Sequence, residues 1–178
     1  MEELEKTQQE KKEDAINILN FASDIIGLER FNIDFNEFEQ DYVIEYKSLE
    51  KKIIINKDVL LINTDELRLG ILINFFSQYY FENEMEKDVE LEKLDFVYQY
   101  SVDKAMAFAI YIMSFISNND YYELLKQNDQ YGNIKKILET YNNKYTKMEV
   151  IDILQKNHIY SKNINEILNN MQNNKNVS

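Results

Sequence analysis

Cysteine, proline and tryptophan are absent from this chain, and glycine occurs only at Gly27, Gly70 and Gly132. Without cysteine there are no disulfides, no thiolate metal sites and no thiol nucleophiles. Three widely separated glycines cannot build a phosphate-cradling loop, so nucleotide enzymes of the common kinds are not expected. With no proline and no Gly/Ser-rich stretch, no flexible linker is visible and one compact unit is expected. Long hydrophobic runs are also missing. Even AMAFAIYIMSFI is too short to cross a bilayer, and the charged stretch MEELEKTQQEKKED lacks the apolar core of a signal peptide, so a cytoplasmic location is expected. Histidine occurs once, as His158, near the C-terminal end of a predicted helix where the helix dipole suits a cation. One histidine without cysteine assembles no Ser-His-Asp or Cys-His set.

Positive charge is scarce: 20 Lys and Arg stand against 32 Asp and Glu, a net charge of -12. A non-specific grip on DNA or RNA requires a basic surface, so direct nucleic-acid binding is not expected, and adhesion to anionic lipid is disfavoured for the same reason. The plain reading of such a surplus is a solubility charge; the sharper one is a surface that faces a basic protein. With 178 residues, 44% of them hydrophobic, the chain can bury a core unaided.

The pattern along the chain predicts an α+β fold, mostly helical, with a small antiparallel sheet packed beside a helical core. Residues 1–13 read as a charged, solvated helical extension, followed by a first amphipathic helix over roughly Asp14 to Ile26. Ala15, Ile18, Leu19, Ala22 and Ile25 recur at helical spacing, and Gly27 suits a helix stop. FNIDFNEFEQ is ambiguous between a short helix and an irregular segment with aromatic anchors. YVIEY (Tyr42 to Tyr46) and KIIIN (Lys52 to Asn56) are the clearest strands, joined by a connection short enough for a hairpin. Val59 to Ile62 extends the sheet or leads into the next helix. Asn63 with Glu66 reads as a cap and capping-box partner, opening a buried helix from about Asp65 to Phe81. After an acidic segment, a second buried helix spans about Phe96 to Ile116. Shorter helices are expected at Tyr121 to Lys126 and Ile134 to Tyr141. A C-terminal helical tail over residues 146–178 is opened by the Thr146 and Glu149 capping pair and includes Ile164 to Met171. Residues 14–145 would form the main domain.

In the segment KIIINKDVLLINTDELRLGILINFFSQYYF, Asn56 closes a strand ahead of a helix carrying Asn74, Phe75 and Gln78. The later helix carries DKAMAFAIYIM, with Asp103, Ala105, Phe108 and Ala109. This arrangement resembles the ImmA/IrrE family of zinc-metallopeptidase-like proteins, over roughly Ile53 to Met113. The resemblance implies a zincin-like arrangement in which a strand ending in Asn precedes a helix bearing His-Glu-x-x-His, and a second helix bears an acidic residue before an Ala-Asn-x-Phe-Ala-like run. The departures matter most. Where the family holds two zinc-binding histidines and a general base, this register holds Asn74, Gln78 and Phe75. Amides are poor zinc ligands and a phenyl ring accepts no proton. Asp103 matches the acidic place, but Met106 replaces the family's Asn and the following Pro is absent. The resemblance therefore implies a degenerate, catalytically inactive homologue with no metal and no cofactor, in which Asn74 and Gln78 hydrogen-bond each other or Asp103. Apart from the family, they are simply polar residues at a helix edge.

Two other features are candidates. Glu82, Glu84, Glu86, Asp88, Glu90, Glu92 and Asp95 form an acidic run without the glycine and ligand order of a calcium loop. It is either a solvated face or a docking patch for a basic protein. Tyr79, Tyr80, Tyr98, Tyr100, Tyr121 and Tyr122 surround the two central helices and read as packing, with interfaces as the alternative. The function expected is that of a non-catalytic protein-binding regulator. The resemblance suggests a phage or other mobile element, with a repressor or nucleic-acid-handling protein as partner; an acidic inhibitor of a host defence nuclease is one version. A metallopeptidase with non-standard ligands and a structural or assembly protein, including a homo-oligomer, stay open as alternatives.

Overall fold

The computed structural model describes residues 6–38, 42–117, 136 and 145–176. The chain divides into two compact units, residues 1–106 and 107–178.

In the first unit, α1 (Gln8–Ile25) begins within the stretch expected to be a helical extension and runs on as one helix, started by the reciprocal capping box of Thr7 and Glu10. It ends in a Schellman motif: Gly27 takes a left-handed φ of 75°, the Leu28 N–H reaches the Ser23 carbonyl and the Gly27 N–H reaches Asp24. β1 (Asn32–Asn36), β2 (Ile44–Lys47) and β3 (Lys52–Asn56) follow. The expected hairpin forms, with Ile44 opposite Ile55 and Lys47 opposite Lys52. The sheet as a whole departs from the antiparallel expectation. β1, which falls in the ambiguous FNIDFN segment, pairs parallel to β3, so the sheet is mixed with order β1-β3-β2. The reason lies in side-chain character. In β3 the run Ile53, Ile54, Ile55 is buried on both faces, which suits a central strand. β1 alternates exposed Asn32, Asp34 and Asn36 with half-buried Ile33 and Phe35, which suits an edge.

Asn56 ends β3 and is itself buried. Its Nδ2 donates to the Tyr42 carbonyl at 2.9 Å and its Oδ1 accepts from the Asp58 N–H at 3.0 Å, capping a 3-10 helix over Lys57–Leu61. The run Val59 to Ile62 is thus a link to the next helix and not a further strand. α2 (Thr64–Met85) is capped by Asn63, whose Oδ1 accepts the Glu66 N–H at 2.9 Å; only that half of the expected capping box forms. Its buried face is Leu67, Ile71, Phe75 on one ridge and Arg68, Leu72, Phe76, Tyr80 on the next, and it lies along α1 and β2. Between the two helices, Arg68 Nη2 donates to Asp14 Oδ1 at 3.1 Å, and Lys6 Nζ meets the other carboxylate oxygen at 2.7 Å. The acidic segment continues α2 to Met85 and then turns, with a 3-10 helix at Leu91–Lys93. α3 (Leu94–Ile116) follows, and its residues 94–106 belong to the first unit.

In the second unit, Ala107, Phe108, Ala109, Ile112 and Met113 of α3 are buried. The predicted helices at Tyr121 to Lys126 and Ile134 to Tyr141 lie outside the described residues, Lys136 apart. α4 (Lys147–Lys156) opens on the expected Thr146 and Glu149 box, and Tyr145 stacks on Phe108 at 5.4 Å. α4 ends in a second Schellman motif, with Ile159 N–H to Leu154 O and His158 N–H to Gln155 O, both at 3.0 Å. Here the left-handed position (φ 59°) is His158, not a glycine. Ser161 Oγ donates to the Phe115 carbonyl and accepts the Ile164 N–H, tying α5 (Lys162–Asn176) to the end of α3.

The Asp14–Arg68 pair is nine-tenths buried on the arginine side, and Arg68 Nε has no acceptor among the described residues. Asp14→Ala, which leaves a buried guanidinium without its carboxylate, is expected to lower unfolding free energy by about 3 kcal/mol, while the joint change Asp14→Leu with Arg68→Met is expected to lower it far less; denaturant titration of the three proteins decides this. The two helix ends give a paired expectation. Gly27→Ala should destabilise by about 1 kcal/mol, since the left-handed backbone alone opposes it, and His158→Gly should stabilise by about 0.5–1 kcal/mol. Equal effects of the same sign at both positions would show that these backbone geometries do not govern stability.

Candidate functional site

A partly open groove of about 830 Å³ lies within the first unit. α2 supplies one wall. The buried ridges of Phe75 and Phe76 fix which side of the helix faces inward, and the adjoining stripe of Ile73, Asn74, Ser77, Gln78 and Phe81 is left half-buried along the groove. β2 supplies Ile44, Glu45 and Tyr46. The segment before β2 supplies Glu37, Phe38 and Tyr42, and α3 supplies Tyr98 and Val102. Tyr98 meets Phe81 edge-on at 5.8 Å.

The candidate residues from sequence separate here. Asn74 and Gln78 both line the groove one turn apart, but each is held by backbone and not by the other. Asn74 Nδ2 donates to the Gly70 carbonyl at 2.8 Å, and Gln78 Nε2 to the Ile44 carbonyl of the sheet edge at 3.4 Å. Phe75 is fully buried, with its ring edge-on to Phe31 (6.1 Å), Tyr46 (5.7 Å) and Phe76 (5.6 Å). It does not line the groove. Asp103 does not line it either; its Oδ1 accepts from Gln99 Nε2 at 2.9 Å along α3. The donor set does not fit zinc. The groove's α2 wall presents amide oxygens and a serine, and among the described residues no three His, Asp or Glu side chains converge closely enough to hold an ion.

The acidic run forms an exposed ridge at the end of α2 and the start of α3. Glu82 is drawn inward, accepting from Ser48 Oγ at 3.0 Å, and Glu84 pairs with Lys87 at 3.2 Å. Glu86, Asp88, Glu90, Glu92 and Asp95 are exposed and carry no ion pair among the described residues. Apolar side chains are exposed between them: Leu91 is 84% accessible and Phe96 73%, with Tyr100 one turn beyond Phe96. Of the other tyrosines, Tyr80 is buried beneath Lys104, whose Nζ sits 4.3 Å from the ring centre. Tyr121 and Tyr122 lie outside the described residues, and His158 serves the α4 terminus as above.

Sequence reasoning missed Glu37, Phe38, Tyr42, Glu45 and Tyr46 as groove residues. The signal was the mixture of carboxylates and rings in NEFEQDYVIEY, which reads as strand composition until α2 is laid beside it. Comparison with known protein families, with characterised proteins and with solved structures finds no match to this chain.

Burial pushes the Tyr46 phenol up to about 12 from 10.0, and the nearby Glu82 carboxylate and Tyr79 push the same way. A raised folded-state value means that the native protein holds this proton more tightly than the unfolded chain. The resulting stability is complete below about pH 10 and is lost as pH rises toward about 12. Tyr46→Phe is therefore expected to flatten part of the alkaline loss of stability in that window. Tyr111, raised by its own burial, accounts for a further part. Denaturation midpoints measured across the alkaline range for both proteins check this; parallel curves would refute it.

Proposed function

We propose that this protein is a non-catalytic binding regulator that docks on a basic protein surface through the ridge of Glu82 to Asp95. The observation that carries the reading is the exposure of Leu91 and Phe96 among and beside Glu86, Asp88, Glu90, Glu92 and Asp95, which carry no ion pair among the described residues. A face that serves only solubility gains nothing from displaying a leucine and a phenylalanine to water. Burying each against a partner is worth about 1.5–3 kcal/mol, and the carboxylates around them favour partners of opposite charge and speed encounter. The net charge of -12 acts in the same direction. A non-catalytic role is supported by the residues at the places the resemblance assigns to chemistry. Asn74 and Gln78 are amides tied to backbone carbonyls, and Phe75 is core. The resemblance to the ImmA/IrrE proteins further suggests a partner that handles nucleic acid, such as a repressor or nuclease, whose own binding face is basic.

The test is affinity capture at low salt with three baits: the natural chain, a charge-reversed ridge (Glu86→Lys, Glu90→Lys, Glu92→Lys) and Leu91→Ala with Phe96→Ala. A partner retained by the natural chain is expected to be lost by the charge-reversed bait, weakened by the apolar double variant, and released as salt rises. Retention unchanged in all three would reject the ridge as the docking face.

A further inference from the structure

The groove beside α2 has a one-sided hydrogen-bonding character. One hydrogen of each amide and the serine hydroxyl are committed internally: Asn74 Nδ2 donates to Gly70, Gln78 Nε2 to Ile44, and Ser77 Oγ to the Ile73 carbonyl at 2.6 Å. Both amide oxygens are left without a partner among the described residues. Two carboxylates, Glu37 and Glu45, stand at the exposed margin. Glu37 has no ion pair among the described residues, and Glu45 has only a loose one to Lys47 at 3.7 Å. Among the described residues no lysine or arginine lines the groove, whereas Phe38, Tyr42, Tyr46, Phe81 and Tyr98 bring five aromatic rings to it. Among the described lining side chains the remaining donors are the second hydrogen of each amide and the phenol hydroxyls, which accept as readily as they donate.

A cavity made of acceptors, negative charge and ring faces selects against anions and against ligands that need donors. It suits a cation that is rich in N–H groups and flat enough to lie on a ring. We infer that the groove binds the guanidinium of an arginine presented by a basic protein segment, with Glu45 and Glu37 meeting its charge, the Asn74 and Gln78 amide oxygens accepting its N–H groups, and Tyr98 and Tyr42 stacking on its plane. Arginine fits better than lysine because its planar fork offers five donors and stacks on aromatic faces, whereas an ammonium is a compact, strongly hydrated point charge. The volume of about 830 Å³ accommodates the side chain together with flanking backbone. This deepens the reading above, on which it rests only for the source of the arginine; the groove chemistry stands on its own residues.

The experiment is an NMR titration of the isotope-labelled full chain, at near-physiological salt, with the blocked peptide acetyl-Gly-Arg-Gly-amide and its lysine and citrulline counterparts. The arginine peptide is expected to shift the amides of Glu45, Gln78 and Tyr98. Lysine should bind more weakly, and neutral citrulline should not bind measurably. Glu37→Gln with Glu45→Gln should weaken the arginine peptide about tenfold, and Tyr98→Ala should weaken it severalfold, by loss of charge pairing and of stacking respectively. All three positions are exposed, so the variants should keep the native spectrum elsewhere, which the same data report. Citrulline binding as tightly as arginine, shifts confined to the ridge, or no shifts at all would overturn the inference. The charge-reversed ridge should still bind the peptide. Loss of groove binding with salt-sensitive partner capture intact would remove this inference and leave ridge docking standing.

Discussion

The rotation of α2 about its own axis decides what every other part of the first unit can do, and Phe75 sets that rotation. Its ring is enclosed by Phe31 from the α1–β1 connection, Tyr46 from β2 and Phe76 from its own helix. Burying a ring of this size contributes about 1.5–3 kcal/mol, and each edge-on aromatic contact adds about 0.5–1.5. The hydrogen bonds from Asn74 and Gln78 contribute about 1 kcal/mol each at most, because water would satisfy the same groups in the unfolded chain. The aromatic cluster therefore dominates. Once Phe75 points into the core, Asn74 and Gln78 are carried to the groove wall and cannot turn away. The amides do not position the helix; the helix positions the amides.

This bears on how the helix was read from sequence. The resemblance assigned Asn74, Phe75 and Gln78 to the places where the family holds its reacting residues. In the structure Phe75 lies in the core, apart from the groove wall that carries the two amides. A phenylalanine beside two amides has no reason to face a polar cleft when an apolar interior is available a fraction of a turn away. Asp103 shows the same kind of separation. Gln99 sits one turn earlier on the same helix, and that local bond along α3 needs no tertiary partner.

Much of the fold was legible because local signals agreed with long-range ones. Ile53 to Ile55 of KIIIN are both β-branched and apolar, and the segment became the central strand. Thr146 and Glu149 form a complete cap, and the apolar ridges of α2 and α3 required burial whatever they packed against. The third strand was not legible as such. NIDFN alternates with period two, but it is short, carries two asparagines and an aspartate, and leads into further acidic residues. Its pairing comes from the exposed edge of β3, which lies some twenty residues further along the chain. Parallel pairing is non-local, and no window of sequence contains both partners. Val59 to Leu60 illustrates the converse. The run is apolar enough for a strand, yet Asn56 caps it into a 3-10 turn. Of the two surface features, the acidic run could be read directly, since charge density is a property of sequence. The groove could not, because its described lining comes from separate stretches brought together only by folding: Glu37 and Phe38, residues 42–46, residues 73–81, and Tyr98 with Val102.

The ridge and the groove also differ in the distance over which they act. Exposed carboxylates such as Glu86 and Glu90 are felt out to about a Debye length, roughly 8 Å at physiological salt. Their attraction is shared by every basic surface and discriminates little among them. The groove acts only on contact. On the reading proposed above, its selectivity comes from what it has little of: with one hydrogen of each amide turned to backbone and no basic side chain among the described lining residues, a ligand brings most of the donors itself. A protein that relied on the ridge alone would associate with many basic partners, weakly and in proportion to their charge. Adding an acceptor-lined aromatic cleft changes the criterion from how basic a surface is to how one side chain on it is shaped. If the ridge brings partners close and the groove chooses among them, the large negative charge need not make the protein promiscuous.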